Sequence, residues 1–332
     1  MTHKTILVTG GAGYIGSHVV RQLGEAGENV VVLDDLSTGF RRAVLHGELV
    51  VGHTGDRRCL ETLFERFTID TVMHFAAHTI VPESVADPLK YYGNNTCASR
   101  TLFEYALKAD VRHVVFSSTA AVYGIPAGGR AAEDSPTAPI NAYGTSKLMT
   151  EWMLRDVAAV EPLNYVALRY FNVAGADPEG RIGQSTPNAT LLTKVACEAV
   201  VGKRDHVTIY GTDYPTPDGT GVRDYIHVED LAAAHLKALD YLRAGGESTT
   251  LNCGYGHGYS VREVLKMVEE VAGHALVIKE AGRRAGDPPT LIAEAASIRD
   301  VLGWEPRYDD LAAIVSSALN WERKLAAGAS AA

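Results

Sequence analysis

Short β-branched runs alternate with helical stretches through the first half of this chain, and a glycine cluster closes the first run. Together these predict an α/β fold: a doubly wound parallel sheet with a smaller C-terminal lobe. Thr5-Ile-Leu-Val-Thr9 is a continuous apolar run, the kind of strand buried on both faces of a parallel sheet. Similar runs follow at Val30–Leu33, Leu49–Val51, Thr71–Phe75, Val114–Ser117 and Tyr165–Leu168. Helical patterns fill the intervals, the longest over 89–109 and 142–158, and further helices are expected over 229–243, 261–272 and 309–324.

After Asn172 the alternation loosens. Gly/Pro/Asp-rich stretches at Ala174–Pro187 and Tyr210–Val222 mark connections into a second lobe. The sequence therefore divides into a sheet domain over 1–173 and a lobe over 174–325, some segments of which return to the sheet. The tail, 326–332, offers nothing to pack and is expected to fray.

The composition is that of an ordinary globular protein, 46% hydrophobic and 21% charged over 332 residues. A formal net charge of −9, with no run of Lys or Arg longer than two, argues against a nucleic-acid surface. No window approaches the ~18 apolar residues of a membrane span. The chain enters a strand almost at once, without a signal peptide, and Cys59, Cys97, Cys197 and Cys253 lie far apart. Reduced thiols and a cytoplasmic location are the expectation. His74 and His78 share the i,i+4 spacing of a metal pair, but small residues and a turn surround them, and no metal is expected.

Gly10-Gly-Ala-Gly13-Tyr-Ile-Gly16 follows the first strand and opens the first helix. Glycines there permit a tight turn and bring backbone N–H groups close to a pyrophosphate at a helix N-terminus, the mark of a Rossmann-type dinucleotide site. A glycine cluster alone is also found in plain strand–helix turns; Asp34 adds the context. It ends the second strand, where a carboxylate accepts hydrogen bonds from ribose hydroxyls and repels the extra phosphate of NADP, so NAD is the cofactor expected. Asp56, after the third strand, is placed either to meet the adenine or to cap the next helix. Phe75-Ala-Ala77 follows the fourth strand with side chains small enough to admit a cofactor or simply to pack closely.

Tyr143-Gly-Thr-Ser-Lys147 sets a phenol and an ammonium one helical turn apart on one face. A free Tyr, with a pKa of about 10, is too weak an acid to serve as a base at neutral pH. A lysine cation and an oxidised nicotinamide ring beside it both stabilise the phenolate. The Y-x-x-x-K spacing recurs by chance in amphipathic helices. Here it follows the glycine signature and Ser117-Ser-Thr119, and Thr119 can exchange a proton beside the phenol.

With these motifs the chain resembles the extended short-chain dehydrogenase/reductase family and, within it, the UDP-glucose 4-epimerases. The resemblance runs from about Lys4 to Trp321. It is carried by Val8–His18, Glu83-Ser-Val85, Tyr91-Tyr-Gly-Asn-Asn95, Phe116–Thr119, Ala121–Gly124, Tyr143–Lys147, Arg169–Asn172, Asp213–Thr216 and Asp218–Val228. It implies reversible 4-epimerisation of UDP-galactose and UDP-glucose, with transient hydride transfer to bound NAD and a 4-keto sugar, in a homodimer.

The resemblance further implies that Gly10, Gly13, Tyr14, Ile15 and Gly16 hold the pyrophosphate and Asp34 the ribose, with Asp35 where the family often has Asn. Asp56, Phe75, Ala76, Ala77, Asn95, Ser117 and Tyr170 would complete the cofactor cleft together with Tyr143 and Lys147. Thr119, Tyr143 and Lys147 would be catalytic. Phe171, Asn172, Leu192, Tyr210, Arg223, Arg284 and Asp287 would meet the UDP-sugar, the two arginines suiting a diphosphate. Leu291, four places after Asp287, stands where the family gates space near C2 of the sugar. Two departures stand out: Thr79 replaces a family lysine that approaches the nicotinamide, and Ala189–Lys194 lacks the usual form of its segment. The dehydratases of the same fold carry an Asp-Glu pair directly after the catalytic Thr, and the decarboxylases usually a Glu in that region, where this chain has Ala120 and Ala121. Other UDP-sugars, N-acetylated or uronic, remain alternatives, and a non-catalytic NAD-sensing protein is the remote one.

Overall fold

A computed structural model of the chain describes residues 4–187, 189–284 and 286–329. Its centre is a seven-stranded parallel sheet. The strands are β1 (Thr5–Thr9), β2 (Val30–Asp34), β3 (Glu48–Val51), β4 (Ile69–His74), β5 (His113–Ser117), β6 (Asn164–Tyr170) and β7 (Thr249–Cys253). Their order across the sheet is β7-β6-β5-β4-β1-β2-β3, so the connection reverses between β1 and β4. Ligands of open α/β sheets bind at such a reversal, outside the carboxyl ends of the strands. The doubly wound sheet expected from the sequence is present, and β7 is the segment that returns to it from beyond residue 174.

Alternation along each strand feeds two cores. Ile6 and Val8 pack with Val19, Val20 and Leu23 of α1 (Tyr14–Glu25). Leu7 points the other way, to Leu60 of α2 (Arg57–Arg66) and to Leu102 and Phe103 of α3 (Ala98–Lys108). Every residue of β2 and β4 is buried; the apolar run of β2 accordingly does not alternate, while β4 also buries Asp70, Thr71 and His74. The helix α4 (Ala142–Ala158) matches its expected range. The expected helix over 89–109 is instead three pieces: Pro88–Tyr91, a π-helical turn Tyr92–Cys97, and α3.

Beyond β6 come α5 (Leu192–Val200), α6 (Val228–Arg243), α7 (Val261–Ala272) and α8 (Leu311–Ala329). The last runs past the frayed tail expected from 326, because alanine is the best helix former; residues 330–332 lie outside the described residues. The strand Asn172–Ala174 crosses the expected boundary at 173 and pairs in parallel with Tyr225–His227. A four-stranded sheet of Tyr259–Ser260, Val222–Arg223, Thr290–Ala293 and Arg130–Ala131 forms the lobe's floor. A small third core, with Tyr123, Leu148, Phe171 and Leu291, joins that floor to the main sheet.

Four histidines are buried in this framework: His18, His74, His227 and His235. Burial pushes His18 and His235 down to about 4, and His74 and His227 down to about 3. In the unfolded chain each takes a proton at about pH 6.5. Below that pH the unfolded state binds protons the folded state refuses, so through these rings stability falls as pH drops. The unfolding temperature, read by calorimetry, should be several degrees lower at pH 5 than at pH 7. A constant value down to pH 5 would contradict the neutral burial of these rings.

Candidate active site

The carboxyl ends of the strands and the lobe enclose a cavity of about 590 Å³. Its sheet side includes Gly10, Gly13, Asp34, Ala76, Ser117 and Tyr143, and its lobe side Asn172, Arg223, Asp287 and Leu291. Gly10 has φ of 72°, and a Cβ on it would lie 2.6 Å from the Ala76 backbone nitrogen. Only glycine serves there. Gly13 is the N-cap of α1 and offers no side-chain cap, so the first-turn N–H groups at Tyr14, Ile15 and Gly16 open on the cavity as an anion site.

Asp34 is buried at the end of β2. Its Oδ2 accepts from Ala12 N at 2.9 Å and its Oδ1 from Leu36 N at 2.8 Å. Burial raises its pKa, while these two N–H groups pull it back down. The carboxylate is thus oriented, with lone pairs left for hydroxyl donors. Asp35, beside it on the cavity wall, accepts from the N–H and hydroxyl of Ser37 at 2.9 Å and 2.6 Å.

Asp56 is not on this wall. It is exposed and caps α2, accepting from Arg58 N at 3.0 Å and Cys59 N at 3.2 Å. Of the two roles open to it in the sequence, the structure places it in the capping one. Gly52, His53 and Thr54 line the cavity instead, because β3 ends at Val51 and the chain turns there. The His53 ring accepts from Gly55 N at 3.0 Å and donates to Asn94 Oδ1 at 2.8 Å.

Asn95 stands behind the wall rather than on it. Its Oδ1 accepts from His78 N at 2.8 Å, and its Nδ2 donates to His78 O and Ser146 Oγ, both at 3.0 Å. One amide therefore ties the loop after β4 to α4. The π-helical turn makes room for this by freeing the Asn95 carbonyl, which accepts from Ser99 and, at 3.3 Å, from Thr150. Phe75, Ala76 and Ala77 line the cavity above it. His74 spends its ring nitrogens on Thr9 and Ser99, each at 2.7 Å, while His78 faces the cavity.

Tyr143 and Lys147 are 6% and 2% exposed on the first turns of α4. The Lys147 Nζ donates to Ser117 O at 2.9 Å and sits 4.9 Å over the Phe116 ring. Burial pulls its pKa down to about 7, and Glu151 works against that shift. Burial raises the Tyr143 phenol, and a hydrogen bond with Thr119 lowers it. Ser117 Oγ donates to the Tyr170 hydroxyl at 2.9 Å, fixing another cavity-lining ring. Arg223, with no carboxylate within ion-pair reach among the described residues, faces the cavity with its Nη1 donating to Val222 O and Pro289 O at 2.8 Å and 3.3 Å.

Three expected substrate residues lie elsewhere. The Arg284 guanidinium stacks 3.6 Å over the Tyr210 ring, away from the cavity lining. The pairing of Tyr210 with Ala281 brings Arg284 to that ring. Leu192 begins α5 and packs into the main core, and its extended neighbour Leu191 lines the cavity instead. Thr79, Ile80, Glu83 and Lys90 also line it, a set that sequence spacing did not single out beyond Thr79.

The profile of the NAD dependent epimerase/dehydratase family matches residues 6–254. The chain belongs to that family. Among its relatives is a UDP-glucose 4-epimerase of Azospirillum brasilense, 57% identical over 321 residues, covering 96% of this chain and 92% of the relative. The structure resembles a UDP-glucose 4-epimerase of Bifidobacterium longum in complex with NAD+ and UDP, with a TM-score of 0.92, 38% identity, and 97% and 98% of the two chains covered. It also resembles the UDP-Glc/GlcNAc 4-epimerase of Campylobacter jejuni, with a TM-score of 0.84, 47% identity, and 97% and 99% covered. The residues present fit the family's cofactor. The Gly10 turn leaves no room for side chains, the α1 N-terminus is uncapped, and Asp34 offers acceptors rather than cations.

Proposed function

We propose that this protein interconverts UDP-galactose and UDP-glucose, an NAD-dependent isomerase that oxidises and re-reduces C4 of the hexose. One observation carries the reading: Thr119 and Tyr143 line a cavity with a glycine turn at one end and Arg223 at the other, and Lys147 is buried one turn along α4 from Tyr143 with its Nζ on the Ser117 carbonyl. When bound, NAD supplies the acceptor and donor of the electron pair that leaves C4 and returns to it.

The chain's own residues do the rest. Gly10 and Gly13 shape the turn, their own N–H groups donating to Leu33 O and Gly10 O, while the backbone N–H groups of Tyr14, Ile15 and Gly16 would hold the pyrophosphate and Asp34 would take the ribose hydroxyls. Tyr143 removes the 4-hydroxyl proton and later restores it. Thr119 shares a hydrogen bond with that phenol and orients the sugar hydroxyl. Lys147 favours the phenolate by its charge. Arg223 and Asn172 grip the UDP end, leaving few charges around the hexose, and a loosely held 4-keto sugar can turn over between the two halves of the reaction. Ala120 and Ala121 follow Thr119 on the cavity wall and supply no acid, which disfavours loss of water across C5–C6.

The substrate range reaches further. Leu291 lines the cavity, 7% exposed, on the strand paired with Val222–Arg223. It lacks the ring and hydroxyl of a tyrosine, so space remains near C2 for an acetamide. The N-acetylated UDP-sugars are accordingly slower substrates than UDP-galactose.

The working unit is a homodimer in the cytoplasm. No helix among the described residues is long and apolar enough to cross a membrane. The helical stretches over 89–109 and 142–158 leave part of their apolar surface outside the chain's own core. Leu102, Phe103 and Leu148 are consumed inside the chain, whereas Trp152 is 45% and Leu89 79% exposed.

Purified protein given UDP-galactose should form UDP-glucose, and Tyr143→Phe should lower kcat by about 10²–10⁴-fold while UDP binding stays near normal. A variant within about threefold of the parent would sink the assignment. For substrate range, kcat/KM for UDP-galactose against UDP-GalNAc is compared across the parent, Leu291→Tyr and Leu291→Gly. The ratio should rise with Tyr and fall with Gly, and an unmoved ratio makes Leu291 a packing residue. Light scattering at micromolar concentration should give twice the mass of one chain; the mass of a single chain rejects the dimer.

A further inference from the structure

Glu151 touches no cavity, yet three elements meet at its carboxylate. It lies on α4 one turn beyond Lys147, its side chain 5% exposed. Arg169 of β6 grips both oxygens, with Nη2 at 2.6 Å from Oε2 and Nε at 3.0 Å and 3.2 Å from the pair. Oε1 also accepts a short hydrogen bond from Ser118 Oγ. Ser118 stands between Ser117, whose carbonyl takes the Lys147 proton at 2.9 Å, and Thr119, the partner of the Tyr143 phenol. Arg169 in turn donates to the Tyr123 hydroxyl at 2.9 Å and to Glu133 O at 3.2 Å.

A buried ion pair that merely tied helix to strand could be exchanged for apolar side chains at little cost. Two observations set this one apart. Its third ligand, Ser118, sits between the two backbone positions on which the lysine and the phenol depend. Among the described residues its carboxylate, one turn along α4, is also the charged group that holds Lys147 up against burial. The other groups facing Lys147 do not replace it. His74 of β4 is neutral, held down to about 3 by burial and by Lys147 itself. The Phe116 ring belongs to β5, Tyr170 ends β6 with its phenol raised, Tyr143 shares α4, and Arg169 spends its charge on Glu151.

We propose that Glu151 is a positioning residue for the reaction: through Ser118 it fixes the strand end carrying Ser117 and Thr119, and it sets a carboxylate one helical turn from Lys147. The proposal rests on the Tyr143–Lys147 reading above. Without the carboxylate Lys147 loses its proton at lower pH, and the phenol loses the cation that favours its ionised form.

The test uses full-length protein carrying its cofactor, with kcat and KM for UDP-galactose measured from pH 6 to pH 9 and the unfolding temperature recorded for each variant. Glu151→Gln leaves Arg169 unpaired, so a double variant, Glu151→Gln with Arg169→Met, removes the charge without leaving an orphan cation. Its alkaline limb should move to lower pH by roughly one unit. Ser118→Ala keeps the ion pair and should lower kcat about tenfold with KM little changed. A folded double variant with the parent's pH profile overturns the charge role, and parental kcat in Ser118→Ala overturns the positioning role. If the double variant fails to fold, Ser118→Ala alone decides. Parental activity in Tyr143→Phe, by contrast, overturns the underlying reading rather than the role of Glu151.

Discussion

Everything at the site depends on how closely β1 and β4 approach at their carboxyl ends. The Gly10 backbone lies against Phe75–Ala76 so tightly that no side chain fits between them. That contact falls where the strand order reverses. On one side of the reversal the chain enters α1 without a side-chain cap; on the other it enters the loop that Asn95 clamps to α4. The cavity is the space these two departures leave open. A larger residue at position 10 would push the strands apart and misplace both walls together.

The reacting pair exists at the expense of stability. A lysine at 2% exposure gives up most of its hydration, and its compensation is one carbonyl, one aromatic face and a carboxylate a turn away. A tyrosine buried beside it is a weaker acid than in water. Neither arrangement favours folding. Both suit a site in which charge on the phenol is wanted only while an oxidised ring and an ammonium flank it. The buried polar links around the pair, from Ser118 through Glu151 and Arg169 to Tyr123 and Asn252, hold it in a fixed geometry.

The lobe contributes differently. Its floor carries Arg223 and Leu291 directly opposite each other on adjacent strands, so the residues proposed to meet the diphosphate and the sugar are held by one sheet. Phe171 and Leu291 share a core with Ala120 and Tyr123 of the segment after Thr119. The lobe's floor and the segment after Thr119 are thus joined by packing beside the cavity.

The sheet, the glycine turn and the Tyr143–Lys147 spacing were legible in the sequence because each is local. Strand burial shows as a continuous apolar run, a tight turn as glycine, and one helical turn as a four-residue interval. Residues placed by distant partners were not legible. Asp56 and His53 lie three positions apart, and only the turn after β3 decides that His53 faces the cavity. Leu191 and Leu192 differ by where α5 begins, and Arg284 by the Tyr210 ring that captures it. The π-helical turn, the return of β7 to the sheet and the meeting of Glu151 with Ser118 rest on contacts between residues from 33 to more than 80 positions apart. Local sequence determined which chemistry the chain carries. Long-range packing, which satisfies buried polar groups one by one, decided which side chains stand where that chemistry happens.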